Sequence, residues 1–204
     1  TSPYPVDFTP DVIEAMAELP QVCPQVHLPL QSGSDAVLER MRRGYTRQQF
    51  VDLVADLRRA IPDIALSTDI LVGFCGETEA DHEQTLELVE SLRFDSAFMF
   101  AYSDRGITYA SKKLEDDVRQ DVKRRRLQEV IAAQEVHTVA AHDRRVGTVQ
   151  PVLIAAVARR GDAMLGKTPH FQNVLLPLGS GEPGQIVDAT ITKSTGHSLL
   201  AEVG

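Results

Sequence analysis

Three turn-like segments of the sequence carry side chains able to bind a small polar ligand. The candidate residues for such a site are Gln31, Ser32, Ser34, Asp69, Gly73, Phe74 and Tyr102. Amide, hydroxyl and carboxylate groups orient a ligand through hydrogen bonds, and a glycine lets the backbone approach it closely. An aromatic ring adds an apolar contact surface. Each turn taken alone also fits a purely structural role, because capped helices that follow strands are common in α/β proteins.

Cysteine and histidine spacing gives no support for a metal site. Cys23 and Cys75 are separated by 52 positions, whereas an iron–sulphur cluster is held by several cysteines that common motifs space closely. The six histidines show no paired spacing of the kind that metal sites use. We therefore predict no bound metal in this chain. Cys75 is predicted to be a small buried or half-buried residue rather than a reactive thiol.

Alternating strands and helices are expected to position the three turns. Buried strands are predicted from short apolar runs at residues 25–30, 64–74 and 96–102. Helix starts are predicted at Thr9, Thr46 and Thr78, and a further helix after Ser34 is expected to include residues 40–43. This order predicts parallel strands joined by right-handed crossovers. The turns would then meet at the carboxyl ends of the strands, where such sheets bind ligands.

A different pattern follows a long helix predicted at residues 118–142. Its basic cluster, residues 123–126, is predicted to be a solvated helix face, with an RNA contact as the alternative. Beyond the helix, short strands are predicted at residues 148–157, 163–166, 171–176, 185–192 and 197–203. Five short strands in this space are typical of a small closed β-barrel of the oligonucleotide-binding type. We therefore divide the chain into residues 1–143 and 144–204.

The two predicted units differ in charge. Residues 1–143 contain 15 Lys and Arg against 25 Asp and Glu, a net charge of −10, and residues 144–204 contain 6 against 4, a net charge of +2. Attraction of RNA phosphates is therefore expected at the C-terminal unit. The candidate RNA-binding residues are Arg159, Arg160, Lys167, Thr168 and Lys193. Phe171 is a candidate stacking ring, although a core position is the favoured interpretation.

Composition excludes several classes of protein. The chain is 43% apolar and 25% charged, which argues against a disordered, collagen-like or disulfide-stapled protein. No apolar run approaches the roughly 20 residues of a membrane-spanning helix. The first residues lack an initiator Met and a signal peptide, so we expect a piece of a longer protein in a reducing cytoplasm.

Motifs along the whole chain resemble one enzyme family. The segments are TSPYPVDFT, HLPLQSGSDAVLERMRRGYT, ALSTDILVGFCGETEADHEQTLELVE, FDSAFMFAYSDR and DDVRQDVKRRRLQEVIAAQ. Together they resemble the radical S-adenosylmethionine methylthiotransferases, and look most like the tRNA-modifying MiaB branch. The remaining residues are similar to the family's C-terminal TRAM domain. The fold that this implies is α/β, a partial (β/α) barrel of parallel strands followed by a small all-β, OB-like barrel.

The resemblance implies a transferase that adds a methylthio group to isopentenyladenosine beside the tRNA anticodon. Its cofactors would be S-adenosylmethionine and two 4Fe–4S clusters, and its RNA partner would be tRNA. The family's cluster cysteines precede the residues present here. The chain alone is therefore expected to carry a partial S-adenosylmethionine site and no cluster, and to be inactive.

Alternatives remain at this stage. Related branches of the family modify threonylcarbamoyladenosine in tRNA or an aspartate on a ribosomal protein, and Gln31, Ser32 and Ser34 favour the tRNA branches. A catalytically inactive RNA-binding or scaffold protein is the alternative from another class. The missing N-terminal half of the parent protein is the expected partner of the incomplete barrel. Its unpaired strand edge also allows self-association, and no membrane partner is expected.

Overall fold

The computed structural model describes residues 4–159 and 161–204. After a short 3₁₀ helix, Pro5–Asp7, the helices are α1 Pro10–Glu18, α2 Asp35–Arg40, α3 Arg47–Ala60, α4 Glu79–Leu92, α5 Tyr109–Lys113 and α6 Gln120–Asp143. The strands are β1 Gln25–His27, β2 Ala65–Val72, β3 Ser96–Ala101, β4 Val149–Val157, β5 Met164–Lys167, β6 Asn173–Leu176, β7 Ile186–Ser194 and β8 Leu199–Val203. No helix in the described ranges is both long and apolar enough to span a membrane.

The first three strands form a parallel sheet in the order β1-β2-β3. Local sequence explains the helices that cross between them. Thr46 and Thr78 each accept a hydrogen bond from the backbone N–H three residues later, and Gln49 and Asp81 return the bond in a capping box. Ser34 caps α2 in the same direction through Val37 N–H. The expectation of parallel strands with intervening helices is confirmed.

One face of the sheet is buried under helices and the opposite face is open. Val26, Leu66 and Ile70 are buried on the helical side, since alternate residues of a strand point to opposite faces. On the open face, Phe98 and Phe100 of β3 remain 59% and 55% exposed. The prediction of a buried third strand was therefore wrong for this face of the sheet. In its apolar run, Ala97, Met99 and Ala101 face the helical side, where they pack against α4 and α6.

The helix predicted after Ser34 is shorter than expected. It ends at Arg40, and Arg42 adopts a left-handed conformation with φ 58°, which stops helical hydrogen bonding. Residues 41–43 therefore lie outside α2. The five-residue helix α5 was not expected from the sequence. Its start is fixed by Thr108, whose side chain accepts a hydrogen bond from Ser111 N–H.

Only half of the basic cluster of α6 is the solvated face that its charges suggested, since Arg124 and Arg125 are exposed. Lys123 is fully buried and Arg126 is 4% exposed. Each lies against a carboxylate: Lys123 Nζ is 2.5 Å from Asp116 Oδ1, and Arg126 Nη1 is 3.0 Å from Glu77 Oε1. This face of α6 is therefore part of the interior, held by ion pairs that sequence periodicity does not reveal.

The last five strands close into a barrel in the order β4-β5-β6-β8-β7. All neighbours are antiparallel except β6 and β8, which are parallel. Inward residues such as Val152, Ile154, Val174 and Ile191 are fully buried. The prediction of a small closed β-barrel is confirmed.

Candidate functional site

The three candidate turns meet at one edge of the sheet. Gln31 pairs with Ile70 of β2, and its carbonyl accepts a hydrogen bond from Leu71 N–H at 2.9 Å. Tyr102 N–H donates to the carbonyl of Val72 at 2.8 Å. The turns after β1, β2 and β3 are therefore stitched together at the carboxyl ends of the strands.

The hydroxyl groups of the first turn are committed to protein contacts. Ser32 and Ser34 are each 1% exposed. Ser32 Oγ accepts a hydrogen bond from Ser34 N–H, and Ser34 Oγ donates to Asp81 Oδ1 at 2.5 Å. These serines link the turn to α4, so a direct contact with a ligand would require those bonds to break.

Gly73 is required by the packing of α6. Its φ is +70°, in the left-handed region that favours glycine. A Cβ at this position would lie only 2.4 Å from Cγ of the buried Lys123. Gly73 N–H donates to Glu77 Oε2 at 2.9 Å. The turn therefore has a defined shape before any ligand is considered.

Glu77 and Arg126 form a buried ion pair beneath this turn. Their side chains are 3% and 5% exposed. Arg126 Nη1 also donates to the backbone carbonyl of Glu77 at 3.0 Å. Burial raises the pKa of Glu77, against the opposing effects of the Gly73 N–H and the Arg126 charge. The pair fastens the second turn to α6.

Phe74 and Tyr102 form a small apolar cluster rather than an open wall. Their rings pack edge to face, with centroids 5.1 Å apart, beside the buried Cys75. Burial raises the pKa of the Cys75 thiol, which favours its protonated form. The prediction that Cys75 is a buried residue is confirmed.

Gln31 and Asp69 are the two half-buried polar members of the candidate set. Gln31 has a φ of 66°, which directs its backbone out of the strand pattern. Asp69 lies on the open face of the sheet, with Oδ1 3.4 Å from Nε2 of His27. The opposite ring nitrogen of His27 lies 3.0 Å from Ser67 Oγ. This chain of polar groups can exchange hydrogen bonds with a polar ligand on the open face.

The donor set does not fit an iron–sulphur cluster. Within residues 4–159 and 161–204, no group of three or more His, Cys, Asp or Glu side chains is arranged to hold a metal ion. Cys23 is exposed whereas Cys75 is buried. A cluster needs several thiolates in one place.

The candidate RNA-binding residues are spread over the barrel. Arg159 and Lys193 are exposed, Lys167 is half-buried and Thr168 is buried at 4% exposure. Arg160 lies outside the described residues. Thr168 Oγ1 accepts a hydrogen bond from Gln172 N–H at 3.2 Å, so its hydroxyl shapes the turn between β5 and β6. Lys167 Nζ lies 3.9 Å from the centroid of the Phe171 ring.

Phe171 is 63% exposed, so the interpretation of this residue as part of the core was wrong. The physical reason is local: a φ of +66° turns the chain sharply between β5 and β6 and carries the ring away from the barrel interior. Phe98 was also missed as an exposed ring. The alternation of aromatic and small residues in β3 is a usable signal for it, because the rings at 98 and 100 share one face.

A polar junction joins the barrel to the sheet. Arg145 donates to both carboxylate oxygens of Asp63, at 2.7 and 3.0 Å. Nε2 of His170 lies 2.9 Å from Oδ2 of the same Asp63. Burial lowers the pKa of His170 and the Arg145 charge adds to this effect, while Asp63 opposes it. Sequence spacing gave no signal for this junction, since its members are far apart in the chain.

We expect acid to weaken this junction through His170. A lowered pKa in the folded state means that folding favours the neutral ring, so stability is lost as pH falls through the unfolded value near 6.5. The slope from one such group is at most about 1.4 kcal/mol per pH unit. Urea unfolding at pH 7 and pH 5 should show a smaller loss for His170→Gln than for the native chain. An equal loss in both proteins would contradict this.

Comparison with known proteins identifies two matched regions. Residues 1–89 match the Radical SAM superfamily, and residues 143–203 match the TRAM domain. The tRNA-2-methylthio-N(6)-dimethylallyladenosine synthase of Bacteroides thetaiotaomicron is 42% identical over 203 residues, covering 99% of this chain and 45% of the relative. The corresponding Acidothermus cellulolyticus synthase is 45% identical, covering 99% of this chain and 41% of the relative. A CDK5RAP1-like protein of Oryza sativa is 43% identical, covering all of this chain and 36% of the relative.

One solved structure shows a similar fold. Coproporphyrinogen III oxidase from Escherichia coli, described as a radical SAM enzyme, aligns with a TM-score of 0.53 at 16% identity. The alignment covers 97% of this chain and 49% of that one. The chain thus spans less than half the length of the relatives described here.

Proposed function

We propose that the chain forms the C-terminal part of a tRNA methylthiotransferase, because residues 1–89 match the Radical SAM superfamily and residues 143–203 match the TRAM domain. The substrate of the whole protein would be isopentenyladenosine beside the anticodon. The observation that carries this proposal is the similarity over the whole chain to synthases named for that modification. The order of the two matched regions supports a cofactor-binding part followed by an RNA-binding part.

In this proposal, residues 1–143 contribute one side of an S-adenosylmethionine site. Gln31 and Asp69 are half-buried polar groups at the strand ends and on the open face, and they would orient the ligand by hydrogen bonds. Ser32, Ser34 and Gly73 would hold the turns in shape, while Phe74 and Tyr102 would pack behind them. S-adenosylmethionine would supply the methyl group of the product.

Residues 144–204 would provide the RNA-binding part. The net charge of +2 against −10 for the rest of the chain supports phosphate attraction there. Arg159, Arg160, Lys167 and Lys193 are its candidate phosphate contacts, and Thr168 supports the turn beside Lys167. The iron–sulphur clusters belong, in this proposal, to the other part of the protein, since the described residues here do not fit one.

We propose that the rest of the parent protein completes the sheet. Within the described residues, β1 and β3 each pair with β2 alone, which leaves backbone donors and acceptors at both edges. Additional parallel strands would satisfy those groups. The alternative is self-association of the isolated chain through the same edges. Native mass spectrometry of the isolated chain would detect it.

Binding to tRNA tests the RNA half of the proposal. The triple variant carries Arg159→Ala, Arg160→Ala and Lys167→Ala, and it should bind tRNA more weakly. The slope of log K against log salt concentration should become shallower by about two to three, if each residue neutralises one phosphate. Fluorescence anisotropy of labelled tRNA at several salt concentrations measures both quantities. The control is Arg59→Ala, an exposed arginine on α3. An unchanged affinity and slope in the folded triple variant would place the RNA contact elsewhere.

A further inference from the structure

A cavity of about 720 Å³ lies between the open face of the sheet and the barrel. Phe98 of β3 contributes to one wall, and Phe171 of the turn between β5 and β6 contributes to another. Both rings are more than half exposed. Four of the six histidines of the chain, His27, His142, His170 and His197, also line it. Its volume falls within the range of small-ligand sites.

Both the backbone conformation and the exposure of Phe171 are energetically unfavourable for a phenylalanine. A left-handed φ of +66° is unfavourable for an aromatic residue, and 63% exposure forgoes most of the gain from burying a large ring. Strained backbone that persists in a folded protein clusters at binding and active sites. The geometry therefore points to a role for this ring outside the core.

The turn that presents Phe171 is firmly anchored. Thr168 and Gln172 exchange hydrogen bonds across it, and Phe171 N–H donates to the carbonyl of Thr168 at 3.0 Å. The Gln172 side chain donates to the carbonyl of Ala141 at the end of α6. His170 contacts Asp63 in the junction described above. The ring is thus held on a prepared support before any ligand arrives.

A positive charge lies over one face of the Phe171 ring. Lys167 Nζ is 3.9 Å from the Phe171 centroid and 3.0 Å from Oδ1 of Asn173. The cavity also contains the carboxylates of Asp69 and Asp95. Asp69 lies 3.4 Å from His27, and Asp95 lies 3.0 Å from Arg144, so the end of the cavity beside Lys167 is the one suited to an anion.

We propose that this cavity holds one unpaired nucleotide of the RNA, with its base stacked on Phe171 and its phosphate beside Lys167. The inference rests on the proposed RNA-binding function and adds a specific site to it. Stacking on an aromatic side chain requires an exposed base face, which a loop offers and a continuous duplex does not. Asn173 and Gln25, which line the same cavity, provide amide groups for the edge of the base.

The test separates ligand binding from folding through Phe171→Asn. Asparagine tolerates the left-handed conformation better than phenylalanine, so this variant should be at least as stable in urea unfolding. Its affinity for an RNA stem–loop should nevertheless fall about 5- to 100-fold, the effect expected for losing one stacked base. Phe171→Trp should retain most of the affinity because it keeps a stacking face.

Two controls make the result specific. Leu178→Ala removes an exposed apolar side chain in the turn after β6, and it should leave stem–loop binding unchanged. A fully paired RNA duplex should bind the native chain and Phe171→Asn equally. Equal stem–loop affinity of these two proteins would overturn the nucleotide site while leaving RNA binding intact. Failure of the native chain to bind either RNA would overturn both proposals.

Discussion

Replacing Glu77 by Gln should lower the free energy of unfolding by about 3 kcal/mol, because the buried Arg126 then loses its buried counter-charge and keeps only the half-exposed Glu79. Arg126 is 4% exposed, and its guanidinium donates to the Glu77 carboxylate at 3.0 Å. The amide of Gln can still accept from Gly73 N–H but cannot neutralise Arg126. Burial raises the pKa of Glu77, and this cost of its own charge keeps the expected loss at the lower end of the range for broken buried ion pairs. Urea unfolding followed by circular dichroism measures the loss.

Glu79 provides the matched control for this prediction. It contacts the same arginine, with Oε2 3.1 Å from Arg126 Nη2, but its side chain is 50% exposed. Glu79→Gln should therefore cost less than about 1 kcal/mol. Replacing both Glu77 and Arg126 by Met should recover much of the loss from Glu77→Gln, because neither charge is then stranded. Equal losses for Glu77→Gln and Glu79→Gln would show that burial of the pair does not matter.

Gly73→Ala should lower the free energy of unfolding by about 2–4 kcal/mol, through left-handed strain together with overpacking. The new Cβ would lie 2.4 Å from Cγ of Lys123. That side chain has little room to retreat, since it is fully buried and its ammonium is held by Asp116. Thermal and urea unfolding of the variant measure the effect.

Gly106→Ala isolates the conformational part of this cost. Gly106 has nearly the same φ, +71°, yet among the described residues, its two chain neighbours aside, no atom lies within 4 Å of the position that its Cβ would take. We expect a loss of about 1–2 kcal/mol from backbone strain alone. The difference between the two variants then measures the contact with Lys123. If Gly106→Ala costs as much as Gly73→Ala, that contact contributes nothing.

Local signals in the sequence were sufficient for most of the secondary structure. Thr46 and Thr78 begin helices because their side chains cap the next turn, and capping depends on residues three positions apart. The barrel strands follow from short apolar runs between glycines and prolines. The turns at Gln31, Gly73 and Tyr102 share one edge because parallel strands bring their carboxyl ends together.

Long-range pairing explains what the sequence could not reveal. Lys123 and Arg126 look like surface charges because their carboxylate partners are not evident from helical spacing. Phe98 and Phe171 look like core residues because hydrophobicity does not report which face lacks a covering element. The role of Ser32 and Ser34 in linking the first turn to α4 depends likewise on Asp81 and Thr85, about fifty positions away.

The helix α6 sets both the distance and the relative rotation between the strand-end turns and the barrel. Its first turns lie against Gly73 and Glu77, and its last turn meets Gln172 of the barrel. Its 24 residues correspond to about 36 Å at 1.5 Å per residue. One inserted residue would turn the barrel by about 100° around the helix axis while lengthening α6 by only 1.5 Å. The orientation of the barrel is therefore best preserved by insertions close to whole helical turns. An insertion of seven residues, about two turns, rotates the barrel less than an insertion of one residue.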